Sequence, residues 1–237
     1  MKPVYLLAAI ILSFGTASNA WAACSDPAAP GVNWRLCDLS SERPNLRVLT
    51  GADLSGANLI GVNLTSALMR QANLTDADLR GAILWMTHLP DAKLNGANLL
   101  AANLVGADMQ RAQLYGANLI AADMKFVKLM GANLDEADLS TAELFQANLI
   151  GASLRGANLT EAILSQAYME GTILTNANLT RANMSEAWLP GADLRGADLS
   201  GANLEKITLD GAIWVDGRIC DESSWGGCYI NGVAQAY

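Results

Sequence analysis

Cys24 and Cys37 stand near one end of this sequence, and Cys220 and Cys228 near the other. Such thiols can close disulfides, bind a metal, act as a redox couple or, at Cys24, carry a lipid. A metal site is disfavoured because the only histidine, His88, is far in sequence from both pairs. A redox couple is disfavoured because the spacing within each pair is not C-x-x-C. Lipidation of Cys24 would suit the small Ala22 and Ala23 before it, but Trp21 stands where leucine is usual and Cys37 would lose its partner. Structural disulfides within each close pair are expected, although four cysteines permit three pairings. His88 with Asp108 is the one pairing that invites thoughts of acid–base chemistry.

An oxidising compartment is implied by the start of the chain. Lys2 precedes the apolar run Val4 to Phe14, and Ala20-Trp21-Ala22 supplies a cleavage pattern, so residues 1–22 read as a secretory signal peptide. Eleven apolar residues are too few to span a bilayer, and no later run reaches the roughly 18 needed. The mature chain is expected to be exported, to the periplasm or beyond, with no transmembrane segment. With 51% hydrophobic but only 6% aromatic residues, it must fill its core with small aliphatic side chains.

The elements that position these residues follow from a strict period. From residue 49 to 209, all 33 positions ending in 4 or 9 are Leu or Met; of the 33 positions ending in 2 or 7 from Ala52 to Ala212, each two places before such a position, 28 are Ala. A helix would smear a period of five around its circumference, and a flat strand would send successive leucines to opposite faces. A chain that turns a corner every five residues buries the pattern, and four such units make a square coil of 20 residues. The period by itself leaves other polygons open. Eight stacked coils at the sheet spacing of about 4.8 Å would give a rod of about 40 Å.

The repeat, seen as Gly56-Ala57-Asn58-Leu59, Gly116-Ala117-Asn118-Leu119 and Gly196-Ala197-Asp198-Leu199, resembles that of the pentapeptide-repeat proteins. The resemblance, to exported bacterial members, covers about 165 of the 237 residues. It implies an all-β fold, a right-handed quadrilateral β-helix of about eight coils with capped ends, in which the Leu and the Ala before it face inward. Leucine-rich repeats lack the five-residue sub-period. The expected organisation is a signal peptide (1–22), an N-terminal cap with Cys24 and Cys37 (23–48), the β-helix (49–214) and a C-terminal cap with Cys220 and Cys228 (215–237). The Trp34 segment is expected to close one end, and Trp214, Trp225 and the Cys220–Cys228 loop the other.

A 20-residue coil sets i and i+20 in one column. One column reads Asn58, Asp78, Asn98, Asn118, Asp138, Asn158, Asn178, Asp198, and these side chains are expected to bond to turn backbone and to one another up the stack. Another is irregular, running Leu68, His88, Asp108, Lys128, Asn148, Tyr168, Trp188, Thr208. The wall bearing His88, Asp108, Lys128, Tyr168 and Trp188 is the candidate contact surface for a protein partner. Trp85, Met86, Val105, Phe126 and Phe145, flanked by Leu100 and Ile120, form a second outward apolar cluster. It suits self-association, as a homodimer, or cover by the tail from Tyr229 to Tyr237.

The functional expectation is a non-catalytic rigid scaffold or protein–protein interaction module of the bacterial cell envelope, its partner unknown. Catalysis needs a convergent pocket, and no Ser or Cys shares the column of His88 and Asp108; no enzyme, metal or cofactor is expected. The alternative is a DNA mimic that inhibits or protects a topoisomerase. Residues 49–214 carry 17 acidic and 10 basic side chains, a net of seven negative charges, where 40 Å of duplex would carry about 24. Nucleic-acid binding is disfavoured by a whole-chain charge of −8.

Overall fold

The computed structural model describes residues 24–41 and 46–235; the signal peptide expected over 1–22 lies outside them. Parallel bridges join residues 20 apart along four columns, which define four walls. Wall A has as middle residues 33, 53, 73 and so on to 213. Wall B runs from 38 to 198, wall C from 63 to 203 and wall D from 48 to 208.

The five-residue unit explains the corner. In the unit ending at Leu119, Ala117 N donates back across the turn to Leu114 O at 3.0 Å. Gly116 N, Asn118 N and Leu119 N donate to neighbouring coils, to Asp135 O, Ala97 O and Asp138 O at 3.0, 3.0 and 2.7 Å. The third residue of each turn has positive φ at every position ending in 1 or 6 from 51 to 211; 15 of these 33 are Gly and 18 are not. A turn with φ > 0 at that place is of type II, for which glycine is the least strained residue. That is the physical meaning of the repeat's glycine.

The bore is filled as the period requires. Every Leu or Met at positions ending in 4 or 9 from 49 to 209 is buried, as is every residue at positions ending in 2 or 7 from 52 to 212. Thr87 and Thr172 stand where Ala is usual, and each donates its hydroxyl to a carbonyl one coil below, Leu64 O at 2.8 Å and Leu149 O at 2.9 Å. A buried hydroxyl is tolerable on that condition.

The coil reaches back beyond Leu49. Gly31 N, Trp34 N, Leu36 N and Leu39 N donate to Thr50 O, Asp53 O, Ser55 O and Asn58 O, so 31–39 already has the geometry of the repeat. Trp34 and Leu39 fill leucine places, and Val32 and Cys37 alanine places. The segment 23–48 thus carries part of a further coil below the eight spanned by 49–214. Cys24 is bonded to Cys37 and Cys220 to Cys228, which clamps both ends.

At the other end the chain reverses. Ile213 bridges Ile219, and Thr208 bridges Trp225, both antiparallel, so the last edges of walls A and D are covered. Trp214 is buried in a leucine place, as Trp34 is at the start of the same wall. Trp225 departs from the expected lid: it is 62% exposed, because its backbone pairs with Thr208 and its side chain continues wall D outward. β1 (Tyr229–Ile230) and β2 (Val233–Ala234) then form a hairpin. Its turn is Asn231-Gly232, both with positive φ, as a tight antiparallel hairpin prefers.

Candidate interaction surface

Wall B and wall D share one backbone and one interior. On wall B, each Oδ1 of Asn58, Asp78, Asn98, Asn118, Asp138, Asn158, Asn178 and Asp198 accepts the N–H two residues on, at 2.9–3.3 Å. These are Asx turns, which fasten each corner locally. Bonding up the stack is sparse: Asn158 Nδ2 donates to Asp138 Oδ1 at 3.0 Å and the Thr180 hydroxyl, one coil below, bonds Asp198, while the rest bond within their own turns. A local amide two residues away is nearer to hand than a side chain one coil higher. Arg80 holds the Asp78 carboxyl below its usual range, and Ser200 does the same for Asp198.

Wall D keeps the ladder with only two such side chains, Asp108 and Asn148, whose Oδ1 atoms accept Gln110 N at 3.3 Å and Ile150 N at 3.2 Å. Tyr168 N donates to Ala147 O at 2.9 Å and Leu149 N to Tyr168 O at 2.7 Å, as in wall B. His88, Asp108, Lys128, Tyr168 and Trp188 stand in one outward column, each bridged to its neighbours on the coils above and below. Tyr168 is 49% and Trp188 38% exposed, and Trp225 extends the column by one level. Neither Asp108 nor Lys128 makes an ion pair among the described residues.

Trp85, Met86, Val105, Phe126 and Phe145 lie at the corner between walls C and D, so the two expected clusters border each other. Phe126 and Phe145 meet edge to face with ring centroids 5.8 Å apart. Trp85, Met86 and Phe126 are 45–50% exposed. Leu100 and Ile120 sit at the opposite corner of wall C, so they do not flank the cluster as expected. The tail as far as Gln235 does not cover it either, since that length is spent on the terminal hairpin.

Above the aromatics the same corner turns polar. Gln146 Nε2 donates to Gln166 Oε1 and Gln166 Nε2 to Glu186 Oε2, and Lys206 pairs with Glu186. Lys125 pairs with Glu143 and with Asp123, which raises its pKa. On the far side of wall D, Asp91 is bound by Arg111 at 2.7 Å and Arg70 at 3.3 Å, and its carboxyl is held below the usual range, chiefly by Arg111.

One feature of this corner is legible in the sequence only once the turn is known. Its left-handed position runs Ser66, Met86, Gly106, Phe126, Gln146, Gln166, Glu186, Lys206, with one glycine in eight. The corner between walls A and B runs Gly56, Asp76, Gly96, Gly116, Glu136, Gly156, Asn176, Gly196, with five. Both make the same turn.

Similarities to known proteins follow this geometry. The sequence matches the family described as pentapeptide repeats, in eight copies, over residues 48–85, 87–120, 97–135, 107–144, 137–176 and 177–213. HetL, a pentapeptide repeat protein involved in heterocyst differentiation regulation in the cyanobacterium Nostoc sp. strain PCC 7120, is 35% identical. Its crystal structure aligns over 81% of this chain and 87% of its own with a TM-score of 0.43. A trypsin-treated form of QnrB1, a plasmid-mediated fluoroquinolone resistance protein, is 18% identical over 73% of this chain and 92% of its own, with a TM-score of 0.61. A pentapeptide repeat protein from the Arabidopsis thaliana thylakoid lumen is 26% identical over 48% of this chain and 85% of its own, with a TM-score of 0.43. No curated protein matches the sequence. The four-walled coil, its 20-residue register and these matches have one meaning: the chain is a right-handed quadrilateral β-helix and belongs to the pentapeptide-repeat family.

Proposed function

We propose that this protein is a non-catalytic interaction module of the bacterial cell envelope, exported as its leader suggests, which binds protein through wall D and the corner shared with wall C. The observation that carries the reading is that corner's glycine deficit. A non-glycine residue in the left-handed region costs about 1 kcal/mol, and seven of eight positions there bear one. Side chains retained against strain, with Trp85, Met86, Phe126, Tyr168 and Trp188 exposed beside them, suit contact better than folding. The two disulfides suit an oxidising compartment.

The DNA-mimic reading, prompted by QnrB1, has less support. The likeness to that protein concerns the fold alone, and basic side chains paired with acidic ones, Arg111 with Asp91 and Arg195 with Asp193, break the negative field along the walls. The test is crosslinking and pull-down with the purified protein in envelope extracts, beside the variant Tyr168→Ser/Trp188→Ser. The variant is expected to lose the bound protein. Capture of the same proteins by both would overturn the assignment of this surface, and inhibition of a topoisomerase by the purified protein would restore the mimic.

A further inference from the structure

We infer that the surface assigned above is self-complementary and that its partner is a second copy of this chain, lying antiparallel and side by side, wall D on wall D. The inference rests on that assignment and adds a register. The two-fold axis lies in the interface, across the rod, midway between the coil of Asp108 and the coil of Lys128.

The register follows from the column. In chain order wall D reads Val48, Leu68, His88, Asp108, Lys128, Asn148, Tyr168, Trp188, Thr208, one residue per coil. An axis placed between the two opposite charges sets Asp108 against Lys128 of the second copy, His88 against Asn148, Leu68 against Tyr168 and Val48 against Trp188, and leaves Thr208 beyond the paired length. An isologous contact makes each of these pairs twice. Two charges that lack an ion pair in the single chain then neutralise each other. The exposed aliphatic residues at one end, Val48 and Leu68, meet the exposed aromatic ones at the other.

The corners obey the same operation, although they played no part in choosing it. A two-fold axis across the rod lays each corner of wall D over itself, reversed in height. Trp85 and Met86 then face the level of Phe145 of the second copy, and Val105 faces that of Phe126. On the other side of the wall, Arg70 meets Glu170, Pro90 meets Ile150, and Gln110 meets Met130. Apolar residues meet apolar ones at three of these contacts, and opposite charges meet at a fourth.

Competing registers are penalised. Moving the axis half a coil onto Asp108 or onto Lys128 sets that one charged residue against its own copy, and a parallel arrangement, about an axis in the interface running along the rods, does so for both. Like charges facing each other across a desolvated contact are a strong discriminator. The length is sufficient: from Val48 to Trp188 is about 34 Å at 4.8 Å per coil. A stable dimer buries about 800 Å2 on each partner, which over that length needs more than the wall's three extended residues and so draws in both corners.

The test is sedimentation of the purified protein with a charge swap. The protein is expected to sediment as a dimer at micromolar concentration. Asp108→Lys and Lys128→Asp should each weaken the dimer by about tenfold or more, and the double variant should return to within about threefold of the original. Register is read by a short bis-maleimide crosslinker: Leu68→Cys mixed with Tyr168→Cys should give crosslinked pairs, and neither variant alone should. A dimer whose swap fails to restore affinity, or in which the Leu68→Cys variant crosslinks to itself, overturns this arrangement. A monomer at high concentration overturns the second copy as partner. If that monomer still loses a captured protein on Tyr168→Ser/Trp188→Ser, the interaction surface stands; if it loses none, both fall.

Discussion

Walls B and D are made from one backbone and one bore, yet their outer columns follow different rules. On wall B all eight residues from Asn58 to Asp198 are Asn or Asp, and all eight fasten the next corner. On wall D the column passes through Leu, His, Asp, Lys, Asn, Tyr and Trp with the ladder unchanged. The bore and the corners specify the coil, and the outer column is left free. Where the free column is uniform, it serves the turn; where it varies, its composition reports what the surface meets.

The largest expected effect tests the shared interior. Leu119 faces the bore from wall B and Met109 from wall D, and both are completely buried. Each should cost about 2–5 kcal/mol on change to alanine, measured by urea unfolding. The comparison predicts similar costs. A Met109→Ala variant that loses less than about 1 kcal/mol would show wall D to be loosely packed, and its irregular column would then be relaxed structure rather than a retained surface.

Much of this was legible in the sequence, because a period of five admits few ways to bury leucine. The inward residues follow from it; the four columns and the 20-residue register follow once the resemblance of the repeat selects a square coil, since the period alone leaves other polygons open. What escaped depended on backbone conformation. Gly116 and Phe126 occupy equivalent left-handed corners, but nothing in a list of residue types says that Phe126 stands where glycine is easiest. Trp225 resembled a lid because large apolar residues at chain ends usually are, and only its antiparallel pairing with Thr208 turns it outward. The coil's extension to Gly31 was disguised by Trp34 and Cys37 in place of Leu and Ala, though Leu39 kept the register.

A middle-sized effect separates the outer columns. Asn118→Ala removes the acceptor that Ile120 N uses at 3.1 Å, and should cost about 1 kcal/mol. Tyr168→Ala removes a half-exposed side chain with no turn to hold, and should change the stability of the monomer by no more than about 0.5 kcal/mol. Equal losses at the two sites would mean that wall D's residues serve the fold after all.

The smallest effects are the most discriminating, because they have opposite signs. Gly116, on the corner between walls A and B, has φ of 61°, and a Cβ added there would meet nothing within 4 Å. Gly116→Ala therefore sets the strain of the left-handed turn, about 1 kcal/mol, against the freedom it removes from the unfolded chain, about 0.5–1 kcal/mol, and should destabilise by between zero and roughly 0.5 kcal/mol. Ser66, on the corner between walls C and D, is exposed with φ of 55°. Ser66→Gly relieves the same strain but adds freedom to the unfolded chain, worth about 0.5–1 kcal/mol, so the net change should lie between zero and a gain of roughly 0.5 kcal/mol. If Ser66→Gly instead cost as much as Gly116→Ala, the corner's side chains would be contributing to stability, and their retention would need no partner. If it is neutral or stabilising, the left-handed turn at Ser66 gains nothing in the fold from its side chain, and the benefit of that residue must lie in what the surface touches.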